Sequence, residues 1–341
     1  MKAAPAASTQ TKIFTDIDYE RNGKQVGWLG LNHSVTRSAY GAIMIPIAVI
    51  KNGSGPTAFF MAGNHGDEYE GQVALVKLIR ALRAEEVQGR VIILPAANLP
   101  AAMAGTRVSP IDDGNLNRSF PGSADGTVTQ QIAHYINTVL FPLADTFHDL
   151  HSGGGSLDYV PFASVHHGWD DAINARGLAT LRAFGAPISV VWKVHQDVRF
   201  APVAAMTHGL PSLGGEFGGG GRVNKDVVAM VERGLRNTLF HMNIIEKPRD
   251  WAPPRPTRLM EVPNRDSFVY APEPGLFEPA VNLGDTVAKG DLCGHVHFVD
   301  NPGREPEPCY FRSAGFVICK RHFGRVERGD CVAHLANDVA A

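Results

Sequence analysis

His65 and Glu68 stand three residues apart in the stretch GNHGDEYEG, directly after the apolar run TAFFMA. A histidine and a carboxylate at that spacing can converge on one divalent cation where a strand turns into a helix. The same acids also suit a plain helix start, since the macrodipole favours negative charge there. A metal site needs a third ligand from a neighbouring strand end, and His151 in DLHSGG is so placed. Two histidines and a glutamate leave a coordination position open, the arrangement of catalytic zinc. Asp149, two residues earlier, suits either a proton acceptor for a ligand histidine or a strand-end turn.

Farther along, GGEFGGGG sets Glu216 just before four glycines. Neither a G-K-[ST] nor a G-x-G-x-x-G pattern accompanies the run, so it is not a phosphate loop. An acid of this kind suits a general base for water at a metal. Arg107 and Arg118 lie in TRVSPIDDGNLNRSFPG, a Pro- and Gly-marked loop. Each is either a surface ion-pair partner or a planar fork for a carboxylate.

These residues need elements to carry them. From about residue 40 to 245, buried runs (IMIPIAVI, TAFFMAG, VIILPA, TFHDLH, APISVVWKV, PSLGGEF) alternate with helical patterns. Leu75, Leu78, Ile79 and Leu82 share one face of the helix after the first motif. Ile132, Ile136, Val139 and Leu140 do so within TVTQQIAHYINTVLF, and KDVVAMVERGLRNTLFHM makes a last long helix. Such alternation predicts an α/β layer fold with a parallel or mixed sheet, whose ligands gather at the carboxyl ends of strands. The proline cluster in KPRDWAPPRPTR reads as a linker, and the turn-rich region beyond it as a small all-β domain. The expected boundaries are a loose extension at 1–15, a catalytic domain at 16–250 and the β domain at 251–341.

A net charge of −2 in 341 residues argues against a nucleic-acid binder. No apolar stretch is long enough for a membrane span, and MKAAPAASTQTK lacks the apolar core of a secretory signal, so a cytoplasmic protein is expected. Cys293, Cys309, Cys319 and Cys331 form no C-x-x-C pair and are read as reduced core thiols. His295 and His297 share one face of a strand and are read as ordinary histidines.

The pieces GNHGDEYEG, GNLNRSFPG, DLHSGG and GGEFGGGG, in that order, resemble the succinylglutamate desuccinylase and aspartoacylase family, relatives of the zinc carboxypeptidases. The resemblance implies a three-layer α/β domain with a mixed sheet, followed by the smaller all-β domain. It implies one Zn2+ per chain, held by His65, Glu68 and His151, with Glu216 as the base and Arg107 polarising the acyl carbonyl. Asn117 and Arg118 would hold the α-carboxylate of a small N-acyl amino acid. Within the family, HGDEYEG and NLNRSFPG look most like the branch acting in bacterial ectoine breakdown, which implies loss of an acetyl group from N-acetyl-L-2,4-diaminobutyrate. Deacylation of another amino acid, or carboxypeptidase action on peptides, is the alternative.

Two features depart from the family pattern. Asn115 stands where aspartoacylases commonly carry Asp before Leu-Asn-Arg, and the interval from Arg107 to Arg118 is longer. A charged substrate side chain calls for an acid, with Asp158, Asp197 and Glu273 as candidates. The C-terminal region resembles a biotinyl/lipoyl-type β fold without its lysine tip. It is expected to shield the active-site mouth or to build the interface of a homo-oligomer, a dimer.

Overall fold

Thr57–Ala62 is buried along its whole length, which places it inside a sheet covered on both faces. In the computed structural model, which describes residues 11–168, 170–193, 197–247 and 256–339, this strand pairs in parallel with Gly89–Leu94 and Thr146–His151. Thr146–His151 pairs in parallel with Ser212–Glu216 in turn. Antiparallel strands flank this centre, Gly23–Asn32 and Ala42–Asn52 on one side and Phe162–His166 on the other. The sheet is therefore mixed, as expected.

The period-2 alternation of a strand divides its side chains between two cores. Ala58, Phe60 and Ala62 pack with Leu75, Leu78 and Leu235, from the helices Tyr69–Ala81 and Lys225–His241. Phe59 and Met61 point the other way, onto Ile132, Ile136 and Phe141. Helix, sheet and helix make the three layers. The expected helix over TVTQQIAHYINTVLF is in three parts: Val128–Tyr135, a π-helical turn Ile136–Leu140, and Phe141–Leu143. Thr127 and Gln130 cap its start reciprocally.

Residues 1–10 of the expected extension, and residues 248–255 of the proline-rich linker, lie outside the described residues. Ile13–Phe14 is a short edge strand on Gly23–Asn32. Beyond the linker every strand belongs to β structure, including a four-stranded antiparallel sheet with its own core around Phe277, Val296 and Val332. This region is continuous with the catalytic layer. Arg258–Val262 adds in parallel to Ile188–Trp192, Cys331–Asp338 follows it, and Leu157–Tyr159 pairs with Gly315–Arg321. Tyr159, Phe162, Val190, Met260 and Ile318 fill the joint. The four cysteines are free, and three of them are buried.

Candidate active site

Parallel pairing brings the carboxyl ends of three strands to one edge of the sheet. Met61 is the register partner of Asp149, and His151 that of Glu216. Positions distant in sequence are thereby set side by side. Gly66 follows Thr57–Ala62 so closely against Ala101 that a Cβ there would lie 2.0 Å from a backbone carbon, so only glycine allows the turn that presents His65.

His65, Glu68 and His151 meet there, with ligand atoms all within 4.8 Å of one another. His65 Nδ1 lies 2.7 Å from Glu68 Oε1, and His151 Nδ1 lies 2.7 Å from Oε2. On their outer sides, His65 Nε2 faces Asn115 Oδ1 at 3.1 Å and His151 Nε2 faces Asp149 Oδ2 at 2.8 Å. Each ring thus meets an oxygen acceptor at both nitrogens, whereas a neutral imidazole carries one proton. With that proton on the outer Nε2, both Nδ1 lone pairs and the Glu68 carboxylate turn inward on a common point. This donor set fits a divalent cation, and nitrogen with carboxylate oxygen is the chemistry zinc takes.

Glu68 occupies the N-cap position of Tyr69–Ala81, yet its side chain makes no capping bond. Its oxygens go to the two histidines and to the Ser152 N–H at 3.2 Å. That settles the helix-start reading against it. Burial alone would raise the Glu68 carboxyl, but the two histidines outweigh it and hold the group far below its ordinary range. Burial lowers His65. His151 is also desolvated, but Asp149 and Glu68 raise it well above the usual histidine value. Asp149, whose Oδ2 faces His151 Nε2, also accepts from Asn64 Nδ2 at 2.8 Å.

Glu216 lines the same cavity, and its Oε2 is buried without a hydrogen-bond partner among the described residues. Burial, then the charge of Glu68, pushes its carboxyl up to about 8. Arg107 Nη1 reaches to 3.3 Å from His65 Nδ1 and 3.4 Å from Glu68 Oε1, so the longer loop still delivers it to the cation site. Arg118 lies with its guanidinium carbon 4.0 Å from the centre of the Phe200 ring, which fixes its plane. Asn117 Oδ1 accepts from the Ala201 N–H at 2.8 Å, leaving its amide NH2 as the donor for a ligand.

Asp67 and Glu70, acids of the first motif that suit a helix start, are ties to the other two motifs. Asp67 Oδ2 accepts from the Gly155 N–H at 2.7 Å, beside the His151 turn. Glu70, fully buried, accepts from the Asn224 N–H at 3.2 Å, where the glycine run after Glu216 ends. The acid candidates for a charged substrate side chain do not reach the cavity. Asp158 pairs with Arg222 at 2.6 Å, Asp197 with Arg199 at 2.6 Å, and Glu273 with Arg328 at 3.0 Å.

The cavity, ≈ 380 Å³, is walled instead by rings that sequence reading did not single out: Tyr159, Trp192, Phe268 and His334. Phe268 and His334 come from the C-terminal β region, which thus contributes part of the cavity wall. Nothing in their local sequence marks them, since strands use aromatic residues everywhere. His297 pairs with Glu278 at the surface, away from this site.

Residues 54–242 match the model of the succinylglutamate desuccinylase/aspartoacylase catalytic domain. The chain is 41% identical to the N-alpha-acetyl-L-2,4-diaminobutyric acid deacetylase of Halomonas elongata, over 99% of both proteins. Among solved structures it is similar to the product-bound ectoine utilization protein EutE (DoeB) of Ruegeria pomeroyi, with a TM-score of 0.92 and 44% identity over 96% of this chain and 99% of that one. A succinylglutamate desuccinylase/aspartoacylase from Rhodobacter sphaeroides gives 0.90 and 43%, over 96% and 100%. The chain belongs to the succinylglutamate desuccinylase/aspartoacylase family.

Proposed function

We propose that this chain is a zinc-dependent amidohydrolase that removes the acetyl group from N-acetyl-L-2,4-diaminobutyrate in ectoine breakdown. The observation that carries the reading is the convergence of His65, Glu68 and His151 beside an unpartnered Glu216 carboxylate, in one cavity with Arg107 and Arg118. The Halomonas relative, named for this deacetylation, supports the choice of substrate.

The residues divide the work. Arg118, held flat against Phe200, and the Asn117 amide grip the α-carboxylate and set the acyl carbon over the cavity floor. His65, Glu68 and His151 would hold a zinc ion, which would supply Lewis acidity when bound. Arg107 donates to the acyl oxygen as negative charge develops on it. Glu216 takes a proton from the attacking water as its oxygen bonds the acyl carbon, and returns that proton to the nitrogen as the C–N bond breaks. Acetate and a free α-amino group are the products. A carboxyl raised by burial and by Glu68 is a strong enough base for the first transfer and a strong enough acid for the second.

The reading includes a cytoplasmic location and a homodimer. No helix among the described residues is long and apolar enough to cross a membrane. The exposed apolar face of Phe14, Val26, Trp28 and Met44 supports self-association, which mass in solution checks.

Metal analysis with a substrate panel tests the proposal. One zinc per chain is expected, with N-acetyl-diaminobutyrate hydrolysed faster than N-acetylaspartate, N-succinylglutamate or short peptides. A zinc-loaded sample inactive on the whole panel overturns it.

A further inference from the structure

A diaminobutyrate side chain ends in an ammonium, and among the described residues the cavity offers that cation no carboxylate beyond those of the cation site and its base. Among its lining residues the carboxylates are Glu68, Asp149 and Glu216. Glu68 is shared between the two histidines, Asp149 holds His151, and Glu216 is the base. Asp158, Asp197 and Glu273 are neutralised by arginines outside it. Of the arginines that line the cavity beyond Arg107 and Arg118, Arg321 is compensated by Asp330 at 3.1 Å and donates to the Arg325 carbonyl. A buried ammonium with no partner is costly, so a site that accepts one must stabilise it by another means.

Aromatic faces are that means. The negative face of a ring attracts a cation within about 6 Å of its centroid, most strongly for Trp. Three rings meet around His334 at one side of the cavity. Its centroid lies 4.9 Å from Phe268, 5.4 Å from Tyr159 and 6.1 Å from Trp192. The Tyr159 hydroxyl lies 3.3 Å from His334 Nε2 and adds an oxygen to the same wall. The cavity already uses this chemistry once, where Phe200 carries the Arg118 guanidinium. We propose that the wall formed by Tyr159, Trp192, Phe268 and His334 receives the side-chain ammonium of an N-acetylated diamino acid. This rests on the deacetylase reading and names the residues that would select its substrate.

The wall holds the ammonium while Arg118 and Asn117 hold the α-carboxylate, so the two charged ends of the substrate are read by opposite chemistry. Selection comes from charge at the end of a short chain, since N-acetylnorvaline has nearly the same shape without it. N-acetylaspartate, with the opposite charge, is refused by the same faces.

The test is the ratio of kcat/KM for N-acetyl-diaminobutyrate over N-acetylnorvaline, in the zinc-loaded enzyme and in Trp192→Leu, Phe268→Leu and Phe268→Tyr. The leucine variants keep apolar bulk and remove the π face. The ratio is expected to fall roughly 3- to 30-fold in each, chiefly through KM, and to persist in Phe268→Tyr. Calorimetric binding of diaminobutyrate against norvaline gives the same comparison without turnover, should a variant lose its rate. A ratio that stays constant in both leucine variants, or a wild-type ratio near one, overturns the aromatic receptor and leaves the hydrolase standing. A preference for N-acetylaspartate overturns it too, and points to Arg321. Inactivity of the wild-type enzyme on every N-acetyl substrate sinks the deacetylase reading itself.

Discussion

The floor and the wall of the cavity are made by opposite means. The floor is polar and tightly bonded: Glu68 serves two histidines and an amide, Asp149 is held by Asn64, and the bearing strands are central and parallel. The wall is a meeting of rings from Leu157–Tyr159, Ile188–Trp192, Phe268–Tyr270 and Cys331–Asp338, strands that join the catalytic layer to the C-terminal β region. On the floor, geometry is fixed by directional bonds at 2.7–3.2 Å, so a single lost atom breaks the chemistry. On the wall, contact is broad and non-directional, so a lost ring shifts preference rather than reaction. Substitutions should therefore sort into those that stop turnover and those that move selectivity.

The largest effects belong to the cation site. His151→Ala removes a ligand and leaves Glu68 and Asp149 each short of one buried partner, so zinc content and turnover should both fall to background. Asp149→Ala keeps all three ligands but loses the hold on His151, and the bond to Asn64 with it. Its zinc affinity should fall roughly 10- to 100-fold, measured by competition with a chelator. Equal zinc retention in both variants would contradict the ligand assignment.

Glu216→Gln comes next. It keeps the shape of the floor and removes the base, so zinc stays at wild-type content while kcat drops roughly a hundred- to ten-thousand-fold. Loss of zinc in this variant would make Glu216 a support for the metal and not a base. The same residue fixes the pH response. The base must be ionised, so kcat/KM falls as pH drops through its pKa, and Glu216→Gln abolishes that limb. Burial raises this carboxyl from 4.5 to about 8 before any cation is counted, and the charge of a bound cation opposes the rise. In the zinc-free protein the folded state binds more protons than the unfolded chain across that window. Stability contributed by neutral Glu216 is complete below 4.5 and is lost as pH rises through 8, a slope in Tm that Glu216→Gln removes.

The floor was legible in the sequence because its residues sit in short motifs at strand ends, where side-chain chemistry and backbone turn are specified together. His65, Glu68, His151 and Glu216 could be named before any fold was known, and an α/β layer fold followed from the alternation of buried runs, its three layers being what the family resemblance implied. What escaped did so for physical reasons. Trp192 and Phe268 look like any strand aromatics until Arg258–Val262 and Cys331–Asp338 link Ile188–Trp192 to Phe268–Tyr270 in the sheet. Asn115, noted only as a departure from Asp, places its Oδ1 3.1 Å from His65 Nε2, a contact that no spacing reveals. Asp67 and Glu70 had a sufficient local explanation, so their long-range bonds were invisible. Those ties can still be told apart from the wall by experiment.

The smallest expected effect concerns Glu70. Its Oε1 accepts from the Asn224 N–H, and a Cβ on Gly218 would lie 3.2 Å from the same oxygen. The carboxylate therefore braces the loop that follows Glu216 without touching the cation site. Glu70→Ala takes the charged acceptor from the Asn224 N–H and opens space beneath the loop, a loss of about 1–3 kcal/mol in unfolding free energy. Glu70→Gln keeps an acceptor oxygen for Asn224 and removes a carboxyl that burial already drives toward its neutral form, so it should recover most of that stability. Because the brace acts through the position of Glu216, the alanine variant should slow N-acetyl-diaminobutyrate and N-acetylnorvaline by the same factor. The ratio between the substrates, which a wall substitution moves, should stay constant. A Glu70→Ala enzyme whose selectivity shifts while its stability holds would mean that floor and wall are one coupled surface, and the division drawn between them would fail.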